Sequence, residues 1–222
     1  MTIVGFDSST AATSACVLRS DGEAFEVVPP PRRLREPPGH SRELLPAVDD
    51  LMRQAAIGWA DVDAVAVGVG PGGFTGLRIG VATARALATA AGLHVHPVSS
   101  LAALAAAVGG PLALPLIDAR RGEVFGALYR DGEPVVEPFA ARPEQVGEHA
   151  GQELASALSA GDGSLRFREI LEAAGVRVAP DDSALHVVRA LHVCRLGARG
   201  PAERPEAVLP TYIRDPDAQP SQ

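Results

Sequence analysis

The sequence predicts an α/β protein made of two tandem units of one design, the second reduced. Three observations carry this. Short apolar runs alternate with helix-period stretches from the first residues onward, as they do when strands feed helices. Asp21-Gly22 and Asp131-Gly132 each stand between two apolar runs, the short-range signature of a hairpin. Finally, the opening order is a strand ending at Asp7, a polar loop, a second strand and Asp21-Gly22-Glu23. It returns as an apolar run over 112–117, Asp118-Ala-Arg-Arg, a second run over 124–129 and Asp131-Gly132-Glu133. Such an internal repeat points to duplication, with a boundary near Gly109-Gly110-Pro111 and units spanning 1–108 and 109–222.

In the first unit, residues 2–6, 13–18 and 23–28 read as three strands, and the proline-rich segment 29–39 as loop. A helix is expected within 41–56, with Leu44, Leu45, Val48, Leu51, Met52 and Ala55 on one stripe. Pro46 should lie in or near its first turn, because deeper in it would break a backbone bond. Residues 93–98 form a further strand, and 99–108 hold a further helix. In the second unit 143–149, 168–174 and 184–195 read as helical and Gly161-Asp-Gly163 as a turn. The tail from Pro201 reads as irregular, with 208–214 as its one ordered island.

Residues 64–92 organise the rest. The apolar run 64–70 is a buried strand, Pro71-Gly72-Gly73 forces a turn, Phe74-Thr75 offers a cap, and helix follows. Within that helix Gly76, Gly80, Ala84 and Ala88 recur every fourth position and leave a strip without bulk. A glycine inside a helix costs up to about 1 kcal/mol against alanine, so the strip should receive another helix. Leu77, Ile79, Val81 and Leu87 put apolar bulk on further sides, more than one solvated face explains. The expected partner surface is therefore Leu45, Val48 and Met52 of the first helix with Gly76, Leu77, Gly80, Val81, Ala84 and Leu87 of the second.

A chain of 222 residues with 46% hydrophobic and 21% charged residues is expected to be a soluble globular protein. No basic leader and no bilayer-length apolar run stand out, and Cys16 and Cys194 form no paired motif; a reducing cytoplasm and no membrane partner are expected. Net charge is −7, and all 20 cationic side chains are arginine. That balance disfavours independent nucleic-acid binding, and the Arg32-Arg33 and Arg35 cluster reads as a solvated loop.

Gly68, Gly70 and Gly73 match a dinucleotide fingerprint, but no Asp or Glu occurs anywhere from Ala64 to Ile117 to hold the ribose. Phe74 stands where a phosphate-loop lysine would. His94 and His96 share a strand face without a third ligand and read as surface or capping residues, as does His40. There is no serine nucleophile elbow and no Cys/His pairing by local motif. Asp7 and Asp118 are the notable acids. Either caps its own turn or, with Ser8, Ser9 and Thr10, lies near a nucleotide; the loops are poorer in glycine than phosphate-gripping hairpins usually are.

Three antiparallel strands followed by helix, strand, helix, strand and helix describe the ribonuclease-H-like unit of the actin, hexokinase and Hsp70 superfamily. Five motifs go further: Val4-Gly-Phe-Asp-Ser-Ser-Thr10, His40-Ser-Arg-Glu-Leu-Leu-Pro46, Gly70-Pro-Gly-Gly-Phe-Thr-Gly-Leu-Arg78-Ile-Gly80, Asp118-Ala-Arg-Arg-Gly-Glu-Val124 and Pro210-Thr-Tyr-Ile-Arg214. Together and in this order they closely resemble the TsaB (YeaZ) family, with few family marks only over 139–182, Gly161-Asp-Gly163 the likeliest of them.

The resemblance implies a role in making threonylcarbamoyladenosine beside the anticodon of tRNAs that read codons beginning with A. It implies a TsaD-like catalytic paralogue and a TsaE-like ATPase as partners, a homodimer when alone, and association through the helices of the first unit. Nucleotide would be bound, if at all, at a partner interface, and tRNA only through the complex. The paralogue's metal-binding histidines fall, on alignment, at Ser100 and Leu104, and neither side chain can replace imidazole on a metal. The implied protein is therefore a non-catalytic scaffold. An actin-like ATP-binding protein and a metal-dependent glycoprotease-like enzyme are the alternatives. The charge balance gives one expected outcome: isolated chain binds tRNA weakly and with strong salt dependence, and tight binding at physiological salt in a filter assay would contradict it.

Overall fold

The computed structural model describes residues 1–214. Ten strands form two five-stranded sheets. The first contains β1 (Ile3–Asp7), β2 (Ser14–Leu18), β3 (Ala24–Val27), β4 (Ala64–Gly70) and β5 (His94–Ser99). The second contains β6 (Leu112–Arg120), β7 (Glu123–Arg130), β8 (Glu133–Ala141), β9 (Leu158–Ala160) and β10 (Arg177–Val178). The helices are α1 (His40–Gln54), α2 (Phe74–Ala91), α3 (Ser100–Val108), α4 (Val146–Ala150), α5 (Asp162–Arg166), α6 (Arg168–Ala173) and α7 (Ala190–Gly197).

The sheets run β3-β2-β1-β4-β5 and β8-β7-β6-β9-β10, so both have the order third, second, first, fourth, fifth. Directions match as well: the first three strands of each are antiparallel, and the last two join in parallel.

Side-chain alternation along the strands sorts residues into separate cores. Val4 and Phe6 of β1, Ala15 and Val17 of β2 and Val65, Val67 and Val69 of β4 face one side, with Leu44, Val48 and Leu51 of α1 and Val81 and Ala84 of α2. Ile3, Cys16 and Ala66 face the other. There they meet Leu101 and Leu104 of α3, Val193 and Cys194 of α7, and Ile117, Phe125, Ala127 and Tyr129 of the second sheet. The far side of that sheet packs Leu114, Leu116, Val124 and Leu128 against Val146 and Leu171. Small residues set the middle layer's thickness. A β-carbon on Gly5 would overlap Cys194 Sγ, and one on Gly197 would lie 3.0 Å from Ala66 Cβ.

The first sheet ends with β5 at Ser99 and the second begins with β6 at Leu112, but the chain near its end returns to the first. Ser14 Oγ donates to the Val188 carbonyl at 2.7 Å, and Glu26 accepts from the Leu191 N–H at 3.0 Å and from Arg189. Residue 203 pairs with Val95, Thr211 N–H donates to the Val69 carbonyl at 2.7 Å, and Arg214 reaches Glu123 and the Ala119 carbonyl. The tail is thus a strap whose anchors begin before the expected island.

Four expectations need correction. Pro46 lies in the second turn of α1, not its first; it sits on the exposed face, where water can serve the Arg42 carbonyl that loses its donor. The 29–39 loop contains a 3-10 turn over Pro31–Arg35, two of whose three arginines are paired: Arg33 with Glu36 and Glu43, Arg35 with Asp181. The 184–195 helix is broken into a 3-10 turn at Ala184–His186 and α7. Gly161-Asp-Gly163 opens α5 instead of being a free turn.

The small strip of α2 faces inward. A β-carbon on Gly76 would overlap the Ser8 carbonyl and one on Gly80 would overlap Ser8 Oγ, so the glycines admit the chain's own β1–β2 loop. Gly80→Ala is therefore expected to cost about 1–3 kcal/mol, read as a lower melting temperature, whereas Leu45→Ala, at an exposed position, should stay within about 0.5 kcal/mol of the parent.

Candidate functional site

The β1–β2 loop is closely packed by its own chain. Asp7 ends β1 almost fully buried, and its Oδ1 accepts from the Ser9 N–H at 2.8 Å and Ser9 Oγ at 2.7 Å. Its Oδ2 accepts from Ser100 Oγ, at the first residue of α3, at 2.8 Å. A side chain at Gly68 would occupy the space of this carboxylate. Ser8 Oγ donates to the Gly76 carbonyl at 2.9 Å, and Gly73 N–H donates to the Ser9 carbonyl at 2.6 Å. Burial pushes the Asp7 carboxyl above its ordinary range, opposed by the bonds from Ser9 and Ser100. Asp7, Ser8, Ser9 and Thr10 are all buried, so the loop is filled by its own chain where a phosphate would need to enter.

The positions that the resemblance aligns with a paralogue's metal histidines are equally closed. Ser100 and Leu104 are both fully buried, Ser100 spent on Asp7 and Leu104 packed beside Gly161 and the inter-sheet core. Among the described residues no group of three or more His, Cys, Asp or Glu could hold a metal ion. His94 is exposed, but His96, expected at the surface, is buried beneath Gly197 of α7, because this strand's inner face carries the last helix. His40 is buried with Nδ1 2.8 Å from Thr13 Oγ1, and burial lowers its pKa; it is a structural contact.

Asp118 occupies the equivalent end of β6 and caps its turn in the same way: Oδ1 accepts from the Arg120 N–H at 2.9 Å, as Asp7 accepts from Ser9. Its surroundings differ. Oδ2 faces Arg166 at 2.7 Å and Arg120 at 3.2 Å, and its own N–H donates to Asp162 Oδ1 at 3.0 Å. Burial, with the Asp118 charge adding to it, pushes the Asp162 carboxyl up to about 6. His186, fully buried, sets its Nδ1 3.1 Å from both backbone polar atoms of Gly161 and so fixes the turn that presents Asp162. Two arginines and two carboxylates balance, which suits pinning one turn against another better than holding a charged ligand. Sequence reasoning misses Asp162, Arg166 and His186; Gly161-Asp-Gly163, expected as a turn and as the likeliest family mark of its segment, is the one available signal.

The expected partner face is mostly interior. Val48, Met52, Gly76, Leu77, Gly80, Val81 and Ala84 are buried in the chain's own core, since one face of each helix must cover the first sheet. Leu45 is 52% exposed, and Leu87 and Ile79 are half-buried.

Asp162 yields a pH prediction. Its folded-state pKa lies above the ordinary aspartate value, so between about pH 4 and pH 6 the folded chain retains a proton that the unfolded chain has lost, and stability falls as pH rises through that window. Asp162→Asn keeps an oxygen for the Asp118 N–H and has no charge to bury. Its stability advantage over the parent, from urea denaturation, should grow from about pH 4 to pH 6 and then level.

Comparison with known proteins agrees with these motifs. The family profile described as "TsaD: tRNA N6-adenosine threonylcarbamoyltransferase" matches residues 37–161. The chain is 30% identical over 229 residues to "tRNA threonylcarbamoyladenosine biosynthesis protein TsaB" of Escherichia coli, covering 97% of this chain and 95% of that protein. An uncharacterized Mycobacterium tuberculosis protein is 33% identical over 225 residues, covering 99% and 94%. The solved structure "YeaZ from Pseudomonas aeruginosa" superposes with a TM-score of 0.79 at 30% identity, covering 95% of this chain and 99% of that one. With relatives alike over nearly their whole length in both sequence and fold, the chain belongs to the TsaB (YeaZ) family.

Proposed function

We propose that this chain is a non-catalytic subunit of the machinery that adds threonylcarbamoyl to the adenosine next to the anticodon of tRNAs reading A-starting codons. It acts by binding a TsaD-like catalytic paralogue, with a TsaE-like ATPase joining them and tRNA engaged only through the complex; alone it pairs with itself. Any ATP or ADP used in assembly sits at a partner interface. The family relationship supports the pathway, and one observation carries the non-catalytic part. The hydroxyl of Ser100, where the paralogue is expected to hold a metal with imidazole, is buried and bonded to Asp7, and Leu104 is sealed in the core. The common strand order of the two sheets and the matching Asp7 and Asp118 caps support two tandem ribonuclease-H-like units of the actin superfamily.

The partner surface in this reading is the solvent side of α1 and α2, with Leu45 as its most exposed apolar residue and Leu87 beside the core. Leu45→Asp is expected to weaken capture of the paralogue at least about tenfold in calorimetry, with the melting temperature of the chain unchanged. Unaltered binding would move the interface elsewhere. Threonylcarbamoyl transfer to tRNA by the purified chain without its paralogue would overturn the non-catalytic reading.

A further inference from the structure

A cavity of about 500 Å³ lies between β5 and β8, each the edge strand of its sheet, and residues 203–213 of the strap. The role above makes no use of it. Its walls are set before anything enters. Val95 exchanges both backbone hydrogen bonds with Glu203, at 2.9 and 2.8 Å, and Val208 is buried in the first core. Thr211 N–H donates to the Val69 carbonyl at 2.7 Å, and a β-carbon on Gly70 would stand 2.7 Å from the Thr211 carbonyl. Tyr212 leans on Phe74, ring centres 5.6 Å apart, and its hydroxyl accepts from Arg78 Nε–H at 3.2 Å. Pro71, Pro97, Pro138 and Pro210 complete the lining, each with its φ fixed by its ring. Walls held in this way lose little freedom when a ligand arrives.

The chemistry of the lining is one-sided. The prolines, with Val69, Leu209 and Ile213, supply apolar surface, and Leu209 is 65% exposed. A proline has a carbonyl but no N–H, so the polar backbone here is biased towards acceptors. On β5, Val95 faces outward to Glu203, and the next outward residue, Pro97, offers an acceptor alone. Among the described residues no Arg or His lines the cavity, and Glu203 is its one charged residue. Glu203 is half-buried, and among the described residues its carboxylate has no hydrogen-bond or ion-pair partner. Glu26 and Glu123, also half-buried, are paired with Arg189 and Arg214. A carboxylate drawn partly out of water without a partner is unfavourable, and apolar walls strengthen its attraction for a cation.

We propose that this cavity binds a small organic cation, an amine whose ammonium group pairs with Glu203 and whose apolar body rests on the proline walls. The volume falls within the range of small-molecule sites, about 300–1,000 Å³. An ammonium carries three donors and no acceptor, which suits an acceptor-rich lining with one carboxylate and turns anions away. Neither the Asp7 loop nor the Asp118 cluster lines the cavity, and the inference stands whatever the chain's partners.

The test uses the full chain at pH 7 and two probes of one shape, phenethylamine and the neutral 2-phenylethanol, in NMR titrations. Phenethylamine is expected to bind saturably with Kd below about 3 mM, at least about fivefold tighter than the alcohol. Glu203→Gln keeps the backbone pairing with Val95 and is expected to remove that preference with the melting temperature held. Ala207→Trp, at an exposed position of the lining, is expected to weaken both probes about fivefold or more by filling the space. Glu203→Gln decides where it folds, and Ala207→Trp decides where it does not. No saturable binding of phenethylamine up to about 10 mM, equal binding of the two probes by the parent, or no change in the deciding variant overturns the proposal.

Discussion

The carboxylate of Asp7 is the point on which the first half of the molecule closes. It lies at the end of the central strand β1, almost out of solvent, and a buried carboxylate is costly unless its lone pairs are filled. Here they are filled from two directions, by Ser9 in the following loop and by Ser100 at the head of α3. Those bonds fix where the loop turns and where α3 leaves the sheet. The neighbouring strand must then carry glycine at 68, and α2 must carry glycine at 76 and 80, because the loop occupies the volume that side chains there would need. The glycines at 68, 72, 76 and 80 are the imprint of one buried acid and its loop.

The second half repeats the geometry with a different outcome. Asp118 caps its turn as Asp7 does, but it lines an open cleft and meets two arginines and a second carboxylate instead of two serines. The first loop is buried and hydrogen-bonded within its own chain, whereas the second is charged and open on two sides. Of two turns set in the same strand order, one is therefore closed by packing and the other borders open clefts.

The two halves are not simply joined end to end. α3 and α7 fill the space between the sheets, and the strap from residue 203 to 214 crosses from the edge of the first sheet to the β6–β7 turn of the second. Cys16 and Cys194, distant in the chain, meet in this layer as buried core residues, Cys194 Sγ lying 3.8 Å from the Cys16 carbonyl oxygen; burial raises the Cys194 thiol. Packing between the sheets thus depends on residues from both ends of the chain.

Local signals in the sequence determined the strands of the first sheet, β6 and β7, the hairpins at Asp21-Gly22 and Asp131-Gly132 and the three long helices, because period, turn chemistry and caps act over a few residues, whereas β9 and β10 are too short to show a period. They also determined the family, through motifs that survive as contiguous blocks. Only the tertiary structure decided which way the small strip of α2 faces. A row of glycines signals close approach but not what approaches, and Ser8, some seventy residues earlier, is what fills it. The same holds for Asp162, Arg166 and His186, whose roles come from a convergence of β6, α5 and the 184–186 turn. It holds again for the Phe74–Tyr212 contact, whose rings are 138 residues apart in the chain. Periodicity and composition report a residue's neighbours along the chain; side-chain chemistry at a distance is set by the fold that brings it together.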